Sequence, residues 1–475
     1  MTSQARRRLV LVGTVLGSSM AFLDATIVAV ALPTIDRELE LGLTGEQWVF
    51  LGYSLALAAL YLPAGALGDR YGYANTFVVG VAGFAAASLL VGAAPNGGFL
   101  IAARVVQGIF GALLTPGSLA LLRATFRDEA GRAIGTWTAW TGIATAAGPA
   151  VGGAIVEAAS WRLIFILNLP LAAVTIAAVL ASRDTCATER RQRHLDLPGI
   201  AFGAIGIATL VWALVEGPRN GFGSRGAVAG FTIAAISLTT FVFVEARSRE
   251  PMLPLSLFRI RELAVANLAT FFVYAALGGA LFFFVLFAQS VLGYSPPKAG
   301  LVLAPISLAL LLFASRFGRA ADRIGPRPFL VGGPVLIGIG LVLLGRLDAS
   351  SSYWTNVLPP LIVFSVGLAA TVPPITAAAL KPAPEELSGI ASGVNTTVSR
   401  VGQLIAVAGL GIVISLAFGS AGSPFELGSR STDELTQAAD AFRAAMWTAA
   451  AFAFAGALVS GVGLPRRVRA GSEAS

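Results

Sequence analysis

The stretch Leu9-Val-Leu-Val-Gly-Thr-Val-Leu-Gly-Ser-Ser-Met-Ala-Phe-Leu-Asp24-Ala-Thr-Ile-Val-Ala-Val-Ala-Leu32 holds one charge, the carboxyl of Asp24. A helix needs about 20 apolar residues to cross the hydrocarbon core of a bilayer, and this run is long enough. Arg6-Arg7-Arg8 stands before it, as in a secretion signal. The run exceeds the roughly 7–15 apolar residues of such a signal, and no small-residue cleavage site follows. It reads as an uncleaved membrane-spanning helix with an acid inside.

The rest of the chain supports that reading. Of 475 residues, 56% are hydrophobic and 12% are charged, and the mean hydropathy is +0.79. A soluble domain carries roughly 25% charged residues. Half that density cannot cover a water-facing surface of this size, so lipid must face much of it. The net charge of +8 fits basic loops at a membrane rather than nucleic acid, since no basic stretch interleaved with aromatics lies outside the apolar runs. The single cysteine, Cys186, and single histidine, His194, rule out a disulfide framework and argue against a thiol or imidazole metal site. No nucleophile–base spacing suggests an enzyme, and no cofactor is expected.

Apolar runs separated by charged or Pro/Gly breaks predict fourteen spans, at 9–32, 47–68, 74–94, 99–122, 132–156, 162–181, 197–216, 227–246, 263–291, 299–317, 328–346, 355–379, 387–418 and 438–464. The even number puts both ends of the chain on one side. Of the 33 Lys and Arg residues, 23 fall in segments that are cytoplasmic if the N-terminus is inside, and 8 fall opposite. Arg104 and Arg400 fall inside spans. The bias predicts cytoplasmic termini.

An internal repeat is present. Gly65-Ala-Leu-Gly-Asp69-Arg70-Tyr-Gly72 follows span 2, and Gly318-Arg-Ala-Ala-Asp322-Arg323-Ile-Gly325 follows span 10. Both read G-x-x-x-D-R-x-G. Repeated halves are a common way to build a transporter with its site near the midplane. They predict a bundle at 1–182, a linker and two-helix insert at 183–262, and a second bundle at 263–475.

Several residues carry candidate chemistry. A carboxyl at membrane depth normally faces a cavity or a partner. Desolvation favours its neutral form and a nearby cation favours its charged form, so a carboxyl poised between them can take up and release a proton. Asp24 is the candidate. In span 4, Arg104 and Gln107 share a face, and Arg104 is the natural partner for Asp24. Gly148, Pro149, Gly152 and Gly153 in span 5 allow tight packing and a bend, the makings of a hinge. In the repeated loops, Gly65, Asp69, Arg70, Gly72, Asp322 and Arg323 are candidates for a cytoplasmic gate, with Arg123 the expected partner of Asp69. Asn267, Phe271, Tyr274 and Gln289 in span 9, with Asn395 and Arg400 in span 13, are candidates to line a substrate cavity. The neighbouring Phe282, Phe283, Phe284 and Phe287 add to the aromatic density of span 9. No second carboxyl is read at mid-membrane, since Glu157 and Glu216 fall near outer span ends.

Taken in order, these segments resemble the major facilitator superfamily, and within it the fourteen-helix drug:proton antiporter branch (QacA/EmrB-like). The resemblance runs through Leu23 to Pro33, through Trp48 and Tyr53, and through Gly65 to Gly72. It continues through Arg104 to Ala112, Gly148 to Gly153, Trp161-Arg162 to Pro170, and the segments from Leu255 to Arg259 and Leu292 to Pro305. The chain departs from the family pattern at Tyr73-Ala74-Asn75, where basic residues are usual, and at Ala29, where asparagine is usual. The resemblance implies an all-α fold of two six-helix bundles plus two extra helices. It implies efflux of small amphipathic or lipophilic compounds by alternating access, driven by a proton gradient. Asp24 would couple protons, with Arg104 and the Asp69 loop needed for cycling. The lack of a second acid argues against strong selectivity for cations. The expected partners are substrate, protons and membrane lipid, with no nucleic acid, and the expected state is a monomer in the cell membrane. The alternative is a lipid or nutrient transporter of the same fold.

Overall fold

The computed structural model describes residues 3–126, 130–182, 196–248, 251, 253–380, 382, 388–418, 425 and 431–465. Cys186 and His194 lie outside them, as does the side chain of Asp69. The described residues form helices, turns and no strands. In chain order the first six helices are α1 (Ser3–Leu39), α2 (Gly42–Tyr71), α3 (Tyr73–Gly92), α4 (Gly97–Gly111), α5 (Leu114–Phe126) and α6 (Ala130–Ala158). Then come α7 (Arg162–Ile166), α8 (Asn168–Ala181), α9 (Leu197–Asn220), α10 (Arg225–Arg247), α11 (Arg261–Ser290) and α12 (Pro296–Val302). The last five are α13 (Ala304–Ile324), α14 (Arg327–Leu344), α15 (Leu358–Leu380), α16 (Ser388–Phe418) and α17 (Thr432–Gly463).

Among the described residues, 13 helical segments are long and apolar enough to cross a membrane. The expected span at 47–68 falls in α2, which is 30 residues long. Each of the fourteen predicted spans therefore has a helix. Three spans are broken where the sequence predicted one continuous rod. The fourth is split between α4 and α5, the sixth between α7 and α8, and the tenth between α12 and α13.

Helix ends follow local chemistry. Asn96 accepts from the Phe99 amide at the start of α4, and Asp196 accepts from the Gly199 amide at the start of α9. Ser431 and Glu434 form a reciprocal capping box on α17, the arrangement that satisfies two orphan amides at once. The repeated loops have matching geometry. Gly72 and Gly325 both have φ of 92° and close a bond to the carbonyl four residues back at 2.9 Å. Only glycine adopts that backbone without strain, so the second glycine of each G-x-x-x-D-R-x-G motif is what turns the chain.

The chain divides into two compact units. The first comprises Met1–Met252, Ala288–Leu301 and Phe425–Gly428. Its helices include α9 and α10, which pack on each other, with α9 also against α2. The second comprises Leu253–Phe287, Val302–Pro424 and Ser429–Ser475. There α14 packs on α15 and α17, and α13 on α15.

Candidate functional site

Within the first unit, Asp24 lies on α1 and is almost fully buried, while Arg104 and Gln107 on α4 are both at 0% exposure. Arg104 Nη1 donates to Asp24 Oδ2 at 2.5 Å and to Gln107 Oε1 at 2.6 Å. Gln107 Nε2 donates to Asp24 Oδ1 at 2.9 Å. Carboxylate, guanidinium and amide thus form a closed triangle, and both carboxylate oxygens are engaged. Arg104 Nε donates to the Val49 carbonyl of α2 at 3.2 Å. Its Nη2 has no oxygen acceptor among the described residues. The guanidinium instead stacks on Tyr53, 4.3 Å from the ring centre, with Phe165 at 5.8 Å. A desolvated cation on an aromatic face is worth about 2 kcal/mol, which offsets part of the missing hydrogen bond.

The network extends to Ser88 on α3, which the sequence did not single out, and to Asn168 on α8, which falls in the Trp161 to Pro170 segment of the family resemblance but was not a candidate site residue. Ser88 Oγ accepts from Gln107 Nε2 at 2.9 Å and from Asn168 Nδ2 at 3.2 Å, and donates to the Phe84 carbonyl at 2.8 Å. A buried polar chain therefore runs from α1 through α4 and α3 to α8. A lone serine in an apolar span usually bonds its own helix, as Ser88 also does, so its sequence carried only a weak signal.

Glycines allow the helices to come this close. A Cβ at Gly108 would strike the Tyr53 backbone, so α4 lies directly on α2. A Cβ at Gly148 would meet Thr26, and one at Gly152 would meet Ile27 at 2.5 Å. Both contacts fall on α1 within one turn of Asp24. One residue further along α6, a Cβ at Gly153 would lie 2.5 Å from the backbone of Pro296, and one at Gly300 would strike the backbone of Pro149. The glycine-rich stretch of α6 therefore seats both α1 and α12. In the same region Gln289 Nε2 donates to the Val30 carbonyl at 2.9 Å.

At the far end of α1, Glu38 accepts from Trp161 Nε1 at 2.5 Å and pairs with Arg162, which stacks 4.3 Å over the Trp161 ring. Further carboxylates are buried at Asp36, Glu46 and Glu245, each within a few turns of a helix end. Asp36 accepts from the Gly42 amide at the α1–α2 turn.

Within the second unit, Asn395 on α16 donates to Asn267 Oδ1 at 3.2 Å and to Thr270 Oγ1 at 2.9 Å, both on α11. A Cβ at Gly402 would meet the Phe271 carbonyl at 2.7 Å, so α16 and α11 are in backbone contact. Phe271, Tyr274 and Arg400 are half-buried. Much of the aromatic density of span 9 is core. Phe282, Phe283, Phe284 and Phe287 are buried, and Phe287 stacks on Phe442 at 4.0 Å. At the repeated loops, Arg70, Arg123, Asp322 and Arg323 are exposed.

Residues 14–407 match the family model described as Major Facilitator Superfamily. The chain is 34% identical over 410 residues to the tetracenomycin C resistance and export protein of Streptomyces glaucescens, covering 86% of this chain and 76% of that one. It is 37% identical over 409 residues to the multidrug resistance protein Stp of Mycobacterium tuberculosis, with the same coverage. It is 34% identical over 402 residues to the puromycin resistance protein pur8 of Streptomyces alboniger, covering 83% of this chain and 79% of that one. Among solved structures, an auto-inhibited POT family peptide transporter superposes with a TM-score of 0.70 at 14% identity, covering 99% and 98% of the two chains. A bacterial homologue of the lysosomal transporter Spinster gives 0.67 at 18% identity, covering 98% and 99%. At such identities the likeness is one of fold. With the family model and the sequence relatives alongside it, the chain is a multi-pass membrane protein of the Major Facilitator Superfamily, of the kind that includes drug and antibiotic resistance exporters.

Proposed function

We propose that this protein exports small amphipathic or lipophilic compounds, drugs or antibiotics among them, in exchange for protons by alternating access. The observation that carries the proposal is the Asp24–Arg104–Gln107 triangle, buried in the first unit. A charged pair at membrane depth is costly to bury. Neutralising its acid removes the attraction that holds Arg104, so a proton on Asp24 is a direct way to loosen the polar link between α1 and α4. The relatives' printed roles in export and resistance support drug efflux over lipid or nutrient transport. In this reading Asp24 takes up a proton when exposed to the outside and yields it when exposed to the cytoplasm. Gly148, Pro149, Gly152 and Gly153 form the hinge surface, and Asp69, Arg70, Arg123, Asp322 and Arg323 act at the cytoplasmic gate. Both termini are cytoplasmic, the energy source is the proton gradient with no cofactor, and the functional unit in the cell membrane is a monomer.

The test uses purified protein in proteoliposomes with an imposed pH gradient, with puromycin and ethidium as probes. The proposal expects accumulation of at least one probe, abolished by Asp24→Asn. Accumulation that ignores the pH gradient would count against proton coupling.

A further inference from the structure

We infer that the Gln107 side-chain amide is a proton-triggered switch that releases Arg104 when Asp24 is protonated, with Ser88 as its pivot. The inference rests on the proposed role of Asp24. Gln107 is a positioning residue, since it acts through its two neighbours.

The reasoning starts from donors and acceptors. In the present arrangement Nε2 points at two acceptors, Asp24 Oδ1 and Ser88 Oγ, and Oε1 points at one donor, Arg104 Nη1. That orientation serves an ionised carboxylate, which only accepts. A proton arriving from water on Oδ1 turns that oxygen into a donor, 2.9 Å from an amide nitrogen that is also a donor. Rotating the amide by half a turn resolves the conflict, because Oε1 then accepts the new O–H. The same rotation brings Nε2 against Arg104 Nη1, where the present separation from Oε1 is 2.6 Å. Two donors cannot share that space. Arg104 has then lost both its countercharge and its amide acceptor. It keeps the Val49 carbonyl, the Tyr53 face and a weaker bond to Asp24 Oδ2, which is now the carbonyl oxygen of a neutral acid. No covalent bond changes apart from the O–H formed on Asp24, the acid goes from −1 to neutral, and the guanidinium keeps its charge.

Ser88 suits the pivot because a hydroxyl both donates and accepts. It now accepts from Gln107 and Asn168 and donates to the Phe84 carbonyl. After the rotation it donates to Gln107 Oε1, still accepts from Asn168, and gives up the Phe84 bond. The present state therefore holds one more hydrogen bond at Ser88 than the switched state. A carboxylate at position 88 could not serve both. Around the triangle stand Tyr53 from α2, Ser88 from α3, Arg104 from α4, Phe165 from α7 and Asn168 from α8, and the charged member is Arg104. Glu46, also buried, stands two turns before Tyr53 on α2.

The test needs no substrate. Infrared difference spectra of the reconstituted protein are recorded while pH is lowered. The protonated-carboxyl band that Asp24→Asn removes reports the acid, and the band that Arg104→Lys removes reports the guanidinium. In wild type the two change with one midpoint. Ser88→Ala, which touches neither charged group, moves that midpoint to higher pH by about 0.7 to 1 unit, a five- to tenfold change, as expected for the loss of one hydrogen bond. Gln107→Leu gives a second, uncharged check and moves the midpoint up. The switch is overturned if Ser88→Ala and Gln107→Leu titrate as wild type, or if the guanidinium and carboxyl bands of the wild type change with different midpoints. The proposed function fails separately, if Asp24→Asn still transports under a pH gradient.

Discussion

Removing Arg104 and Asp24 together should harm the fold less than removing either alone. The two charged groups are 2.5 Å apart, with side chains at 0% and 1% exposure. At an effective dielectric of ~20, Coulomb's law gives a gross attraction of about 7 kcal/mol at that distance. Desolvation of both ions cancels most of it. Breaking such a pair from one side costs about 3–5 kcal/mol, because the remaining charge is stranded. Replacing both ions with apolar or neutral groups is neutral or mildly stabilising. Arg104→Leu and Asp24→Asn should therefore each lower stability by about 3–5 kcal/mol, and the double variant should return close to wild type. The assay is reversible unfolding in mixed micelles titrated with denaturing detergent at pH 8. A double variant whose loss equals the sum of the two single losses would refute the pairing.

Other perturbations probe sites away from that pair. Gly153→Val places side-chain atoms where the backbone of Pro296 lies, so pH-driven flux should fall at least tenfold while membrane insertion, read by protease protection, is retained. Trp161→Phe keeps an aromatic ring and removes the donor to Glu38. It should lower the thermal midpoint by an amount equivalent to about 1–2 kcal/mol, measured in detergent, with flux barely altered. In the α14–α15 turn, the Ser350 hydroxyl, with further help from the Ser350 and Ser351 groups, holds the Asp348 carboxyl below its ordinary 3.8. A depressed carboxyl stabilises above its unfolded value and loses that contribution as pH falls through its folded value. Acid unfolding curves should therefore show a small loss below about pH 4 that Asp348→Asn removes.

Much of this architecture was legible in the sequence because lipid imposes long apolar runs with few exceptions. Asp24 and Arg104 stood out as charges inside such runs, and few other groups at that depth could partner them. The glycine of each repeated loop was legible because only glycine makes that turn. Ser88 was not singled out and Asn168 stood only as part of a resemblance, because a small hydroxyl or amide in a span usually satisfies itself on its own helix, and their convergence depends on how α3, α4 and α8 cross. The phenylalanines of α11 could be read two ways for a related reason. Aromatic density marks either a pocket or a core, and only the stack of Phe287 on Phe442 decides for the core. The breaks inside the fourth, sixth and tenth spans each lie two or three residues before a proline, Pro116, Pro170 and Pro305, which removes a backbone donor, a signal that a count of apolar residues passes over.

If Asp24 carries the proton that drives export, proton movement itself must depend on it. That movement can be followed with a pH-sensitive dye trapped inside proteoliposomes and a transported probe added outside. Wild type should give a probe-dependent pH change, and Asp24→Asn should give none although the probe still binds. A pH change of wild-type size in Asp24→Asn would show that the coupling proton travels by another group.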